Sequence, residues 1–167
     1  VGNVNQLVLN NAQVPDFSFQ MDLSKKGLDR SLSGWVSQLD LSIVHSLDSN
    51  SLPIAAIENI KQSQLEGAVS DIWFSVNPEN VESLQLSASL AKIANQPVAG
   101  IPGFNALSGR VVLGKNNLQL QSKGEQLSLD FAENFRAPFE IDHYTLLANV
   151  SFDKSGVYVS VPMFKAS

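Results

Sequence analysis

Apolar and polar residues alternate along most of this chain, most regularly between residues 104 and 164. Leu118 and Leu120 alternate with Gln119 and Gln121, and Leu127, Leu129 and Phe131 with Ser128 and Asp130. Tyr144, Leu146, Ala148, Val150 and Phe152 form another run, as do Val157, Val159 and Val161. A period of two places successive side chains on opposite faces of a strand, so each run has one apolar and one polar face. Breaks fall at Lys123-Gly124, at Phe135-Arg136-Ala137-Pro138 and at Asp153-Lys154-Ser155-Gly156. Read as turns, they join the runs as neighbouring antiparallel strands of a meander.

The earlier part of the chain follows the same rule with one interruption. Residues 4–11 read as a short strand with Leu7 and Leu9 on one face. Phe17, Phe19, Met21 and Leu23 then alternate with Ser18, Gln20 and Asp22 before a turn at Lys25-Lys26-Gly27. Trp35, Ser37, Leu39 and Leu41 occupy one face of the next run, and Val36, Gln38 and Asp40 the other. Residues 1–41 are thus expected to open the chain as a three-stranded meander. Ile43, Val44 and Leu47, and then Ile54, Ile57 and Ile60 behind Pro53, recur at helical spacing. This predicts one or two short helices within residues 42–63, inside a connector spanning 42–64.

Alternation resumes with Ile72, Phe74 and Val76 opposed by Val69, Asp71 and Trp73. Leu84, Leu86, Ala88 and Leu90 follow, opposed by Gln85, Ser87 and Ser89. These make a strand pair over 65–95, followed by a loop over 96–104 and a C-terminal meander over 105–164. Residues 1–167 therefore read as a single, mainly β segment with a short helical insert. The expected form is an elongated, curved antiparallel sheet, open rather than closed into a barrel. Such a sheet must cover its apolar face with helices, with its own curvature or with an apolar ligand.

A family resemblance lies in the same residues. A Leu-Ser-Gly-Arg strand (Leu107–Arg110) is followed by a Leu-x-Leu strand and a strand closing on Asp130-Phe131. A Phe-Arg-x-Pro-Phe corner (Phe135–Phe139) and a long strand turning at Asp153–Gly156 complete the order. This ordered set resembles the middle region of the YhdP branch of the AsmA-like proteins, and extends over roughly residues 35–164. The resemblance implies a periplasmic segment of a long bacterial envelope protein anchored in the inner membrane. It further implies a taco-like sheet whose groove passes phospholipid between the inner and outer membranes, with flanking segments of the parent chain as neighbours.

Composition narrows the alternatives. Charged residues are 16% of the chain, against roughly 25% in soluble domains. The formal net charge is −5 and no basic cluster occurs, so nucleic acid is a poor partner and no polybasic stripe holds the chain on anionic lipid. Absence of cysteine excludes thiol catalysis, cysteine-ligated zinc and disulfides. No apolar run approaches the ~20 residues of a transmembrane helix. Val1 and the abrupt Lys165-Ala166-Ser167 end read as the limits of a piece of a longer chain, so edge-to-edge self-association of the fragment is expected.

No arrangement of residues points to catalysis, a metal or a cofactor. His45 lies in the connector, and the adjacent Asp142 and His143 point to opposite faces of a strand. The carboxylates Asp16, Asp22, Asp40, Asp71, Asp130, Asp142 and Asp153 are scattered over turns and polar faces. There is no Gly-x-Ser-x-Gly elbow, and Gly100–Gly103 lacks the Lys-Ser/Thr of a phosphate loop. Asn149-Val150-Ser151 fits a glycosylation pattern but lies within an expected strand. Trp35, Trp73, Arg110 and Arg136 are candidates for rims, with Arg136 expected to pair with Glu133 or Glu140.

The apolar stripes carry the functional content. Phe17, Phe19, Met21, Leu84, Leu86, Leu90, Leu118, Leu120, Leu127, Leu129 and Phe131 would share one face if the strands align. That face is either a dry core or a groove for acyl chains, each buried methylene contributing ~0.8 kcal/mol. The corresponding functions are a non-enzymatic lipid-passing groove, or a structural or partner-binding β-module with a self-filled core.

Overall fold

The alternating runs assemble into a nine-stranded antiparallel sheet in a computed structural model of the chain. Residues 1–5, 7–9, 12–26, 29–46, 62–98, 102–131, 135–153 and 156–167 are described. The strands of this sheet are β1 (Gly2–Val4), β4 (Phe17–Lys26), β5 (Asp29–Asp40), β6 (Glu66–Asn77) and β7 (Asn80–Asn95), then β8 (Gly103–Leu113), β9 (Asn117–Asp130), β10 (Phe139–Asp153) and β11 (Gly156–Ala166). Their spatial order is β1-β4-β5-β6-β7-β8-β9-β10-β11, so from β4 onward each strand lies beside its successor in sequence. β1 and β11 are opposite edges with no pairing between them; the sheet is open, not a barrel.

Three sequence expectations need correction. The opening is not a simple meander: β2 (Leu7–Leu9) and β3 (Ala12–Val14) pair with each other in a separate hairpin, and β1 pairs with β4. Lys123-Gly124 is not a turn but the middle of β9, opposite Thr145 and Tyr144. The glycine is there because the Tyr144 ring lies across it, 3.0 Å from where a Cβ would sit; a strand glycine marks close approach as readily as a turn. Gly34 repeats the device beneath its cross-strand partner Phe74, whose ring would lie 2.8 Å from an added Cβ. The third correction, to the faces of β5 and β6, follows from the bulges described below.

Between β5 and β6 the chain forms a 3-10 helix, Leu41–Ser46. The rest of the helical stripe, Ile54, Ile57 and Ile60, lies outside the described residues. Leu41 and Leu65, at the two ends of the connector, pack against a buried cluster of Ile93, Leu107, Leu127 and Tyr144. The Tyr144 hydroxyl accepts the Ser108 amide at 3.3 Å and lies 3.1 Å from Ser122 Oγ, so the one polar tip in the cluster is satisfied. The core is small and sits at one end of the sheet. The accessible surface is 11,214 Å² for a chain of 18.1 kDa, whereas a compact monomer of that mass exposes about 8,000 Å². Among the described residues most of the sheet is a single layer.

An oblique line of bulges separates the two ends. Asp71, Lys92, Ala106 and Gln126, on the consecutive strands β6 to β9, all have positive φ, from 49° to 56°. At each the apolar pattern changes parity. Leu118 and Leu120 precede Gln126 and Leu127 and Leu129 follow it, yet Leu120, Leu127 and Leu129 all meet the same cluster. Leu90 and Ile93 flank Lys92 in the same way, and Phe104 and Leu107 flank Ala106. A bulge bends its strand and resets which side chains face inward. It also explains the third correction: Val69, expected opposite Phe74, packs against the core with its partner Leu39 beside it, so neither stays on the Trp35–Trp73 face.

A left-handed residue other than glycine is strained. Gln126→Gly is therefore expected to raise stability by about 0.5–1 kcal/mol, and the β-branched Gln126→Val to lower it by about 1–2 kcal/mol. Urea denaturation of both variants measures the difference.

Candidate functional site

Directly opposed residues in a sheet share a face, so the register traces rows across it. One row runs Met21, Gly34, Phe74, Leu86, Leu113, Leu118, Val150 and Val159, from β4 to β11 without a polar residue. Beside it, Phe19, Val36 and Ile72 on β4 to β6 continue as Ala88, Val111, Leu120 and Ala148 on β7 to β10. Leu23, Leu32 and Val76 begin a further row. Gly34 interrupts the first row only in size, since the Phe74 ring covers it. At the rims the rows end in open side chains: Met21 and Leu23 are 55% and 68% exposed, and Val159 66%.

The sequence-derived residues fall into three places. Phe17, Phe19 and Met21 lie along the β4 edge, with the Phe17 and Phe19 rings 6.4 Å apart. Leu84, Leu86, Leu118 and Leu120 lie on the same face in the middle of the sheet. Leu129 packs against the core from beyond the bulges, Leu90 and Leu120 do so from their near side, and Leu127 belongs to the core at 1% exposure. Phe131 stands apart, its ring 5.9 Å from Phe135 and 6.0 Å from Phe139 at the end of the β9–β10 pair. The residues missing from that set are Val36, Ile72, Phe74, Val111, Leu113, Ala148, Val150 and Val159. Most stand in visible alternating runs, but only the register shows which parity faces which.

The opposite face is mainly polar, with Trp35, Trp73 and Val112 among its members. Its matching row reads Gln20, Trp35, Trp73, Ser87, Val112, Gln119, Asn149 and Ser160. Gln119 Nε2 donates to Asn149 Oδ1 at 3.1 Å, and Gln121 Nε2 to Gln119 Oε1 at 3.3 Å. His143 Nδ1 lies 3.5 Å from Glu125 Oε1 with both side chains in solvent. Glu140 accepts from Ser128 Oγ at 2.7 Å, and among the described residues no ion pair joins Arg136 to it; Glu133 lies outside them. The described residues contain no group of three His, Asp or Glu placed to hold a metal, and no helix long and apolar enough to cross a membrane. The chemistry this arrangement offers is contact with apolar surface.

Comparison with curated proteins and with solved structures gives no significant match. The sequence profile of the family described as "YhdP protein" matches residues 2–167. With a match over all but its first residue, the chain belongs to the YhdP protein family, an AsmA-like family of bacterial envelope proteins associated with lipid transport.

Proposed function

We propose that the apolar rows form part of a hydrophobic β-groove that shields phospholipid acyl chains as they pass between the inner and outer membranes. The segment would work in the periplasm, within a parent protein anchored to the inner membrane. The observation that carries this reading is the unbroken row from Met21 to Val159. With strands about 4.8 Å apart, its seven intervals span about 34 Å, comparable to the ~30 Å hydrocarbon core of a bilayer. An acyl chain lying along it meets apolar side chains throughout, and at ~0.8 kcal/mol per methylene needs no polar anchor. The headgroup stays in water at the open side, which fits a face without converging polar groups.

The alternative is a structural module that fills its own core and pairs through its edges with flanking segments of the parent chain. The buried cluster around Leu127 favours it locally, and we assign acyl contact to the rows on the other side of the bulges. Titration of the purified, delipidated chain with a fluorescent phospholipid separates the two readings. Saturable binding is expected. Binding no greater than to an unrelated β-protein would leave the structural module, with edge-mediated association read by sedimentation.

A further inference from the structure

We infer that the polar face carries a second binding site, for a neutral oligosaccharide, centred on Trp73. A depression of about 360 Å³ lies there, walled by Trp73, Ser75, Gln85, Ser87, Val112 and Asn117. Its volume falls within the ~300–1,000 Å³ of small-ligand sites. Phe74, Leu86 and Leu113 also line it; their side chains belong to the apolar row, so they supply a backbone floor and their neighbours on the polar face supply the walls. Trp73 is 56% exposed and rests against Trp35, with ring centroids 6.2 Å apart.

The chemistry of the walls selects the ligand. No acidic or basic side chain lines the depression, while another on the same face is lined by Lys123, Glu125, His143 and Lys165. Phosphate or carboxylate recognition draws on Arg or Lys, which are missing here. The side chains of Gln85, Ser87 and Asn117 make no hydrogen bond to other described residues, leaving amide and hydroxyl groups that both donate and accept. Sugar hydroxyls need that dual capacity. The Trp73 π-face, negative in its quadrupole, matches the weakly positive C–H face of a pyranose. A protein partner would require a larger apolar centre, since standard interfaces bury about 800 Å² per side; here Trp73 and Val112 stand among Ser, Gln and Asn. The site rests on the opposite face from the acyl rows and does not depend on them.

The test is titration of the 167-residue chain with neutral hexasaccharides of β-1,4-glucose, β-1,4-N-acetylglucosamine, α-1,4-glucose and β-1,3-glucose. Tryptophan fluorescence and heteronuclear NMR are the readouts. At least one sugar should shift the Trp73 indole and Gln85 amide signals saturably. Trp73→Ala should weaken that binding about tenfold or more, with Trp73→Phe retaining most of it. Gln85→Ala, at an exposed position, should cost roughly fivefold. Failure of all four sugars at millimolar concentration overturns the inference. So does binding indifferent to Trp73→Ala and Gln85→Ala, or equal binding of a sulfated oligosaccharide.

Discussion

Leu118→Asp is expected to weaken phospholipid binding at least about tenfold, because on the proposed path it removes contact with two or three methylenes at ~0.8 kcal/mol each and sets a carboxylate among acyl chains. Leu118 lies between Leu113 and Val150 in the longest apolar row, half-buried between neighbours rather than locked in the core. Its replacement therefore alters the face without emptying the cluster that holds the sheet together. The neighbouring Gln119→Asp points to the polar face, where it loses a bond to Asn149, and should leave lipid affinity within about twofold. The same fluorescent-phospholipid titration measures both. Equal loss in the two variants would mean that the effect is electrostatic or structural and not a property of one face.

Leu127→Ala should have the largest effect on stability, about 3–4 kcal/mol. Leu127 is the most buried large side chain among the described residues, at 1% exposure. It joins Ile93, Leu107 and Tyr144 where the connector ends, Leu41 and Leu65, close over the sheet. Few other side chains among the described residues are sealed from water, so the cluster supplies a large share of what opposes chain entropy. A loss of this size lowers the melting temperature by about 10 °C for a chain of this length. Below that temperature phospholipid affinity should be largely retained, since no residue of the Met21–Val159 row belongs to the cluster or packs against it. Thermal unfolding followed by circular dichroism, with lipid titration in the cold, separates the two contributions.

Much of the sheet was legible in the residues, because alternation and turn chemistry are local. Phe17 to Leu23, Leu84 to Leu90 and Tyr144 to Val150 each declare a strand with one apolar side. The family resemblance, read from the order of short motifs, agrees with the profile match over residues 2–167. What local patterns conceal is how parities combine. Leu118 and Leu127 have opposite parity and look like two strands broken at Lys123-Gly124, yet they lie on one strand and one face because Gln126 takes a left-handed conformation. Asp71 on β6 hides the face of Val69, and with it that of its partner Leu39, in the same way. Glutamine and lysine at bulges carry no signal of the kind glycine gives, and Gly124 itself pointed to the wrong feature. The separate β2–β3 hairpin was hidden by its length: Leu7–Leu9 and Ala12–Val14 are too short for alternation to register.

The central claim concerns which face meets lipid, and Val112 and Leu113 test it most directly. They are adjacent, both apolar and both accessible on β8, and they differ in the side of the sheet they occupy. A photo-crosslinking amino acid placed at each, in the intact parent protein in cells, asks the question without unfolding anything. Phospholipid adducts at Leu113 and not at Val112 are the predicted result. Equal labelling at both, or labelling at Val112 alone, would contradict a lipid path along the Met21–Val159 face.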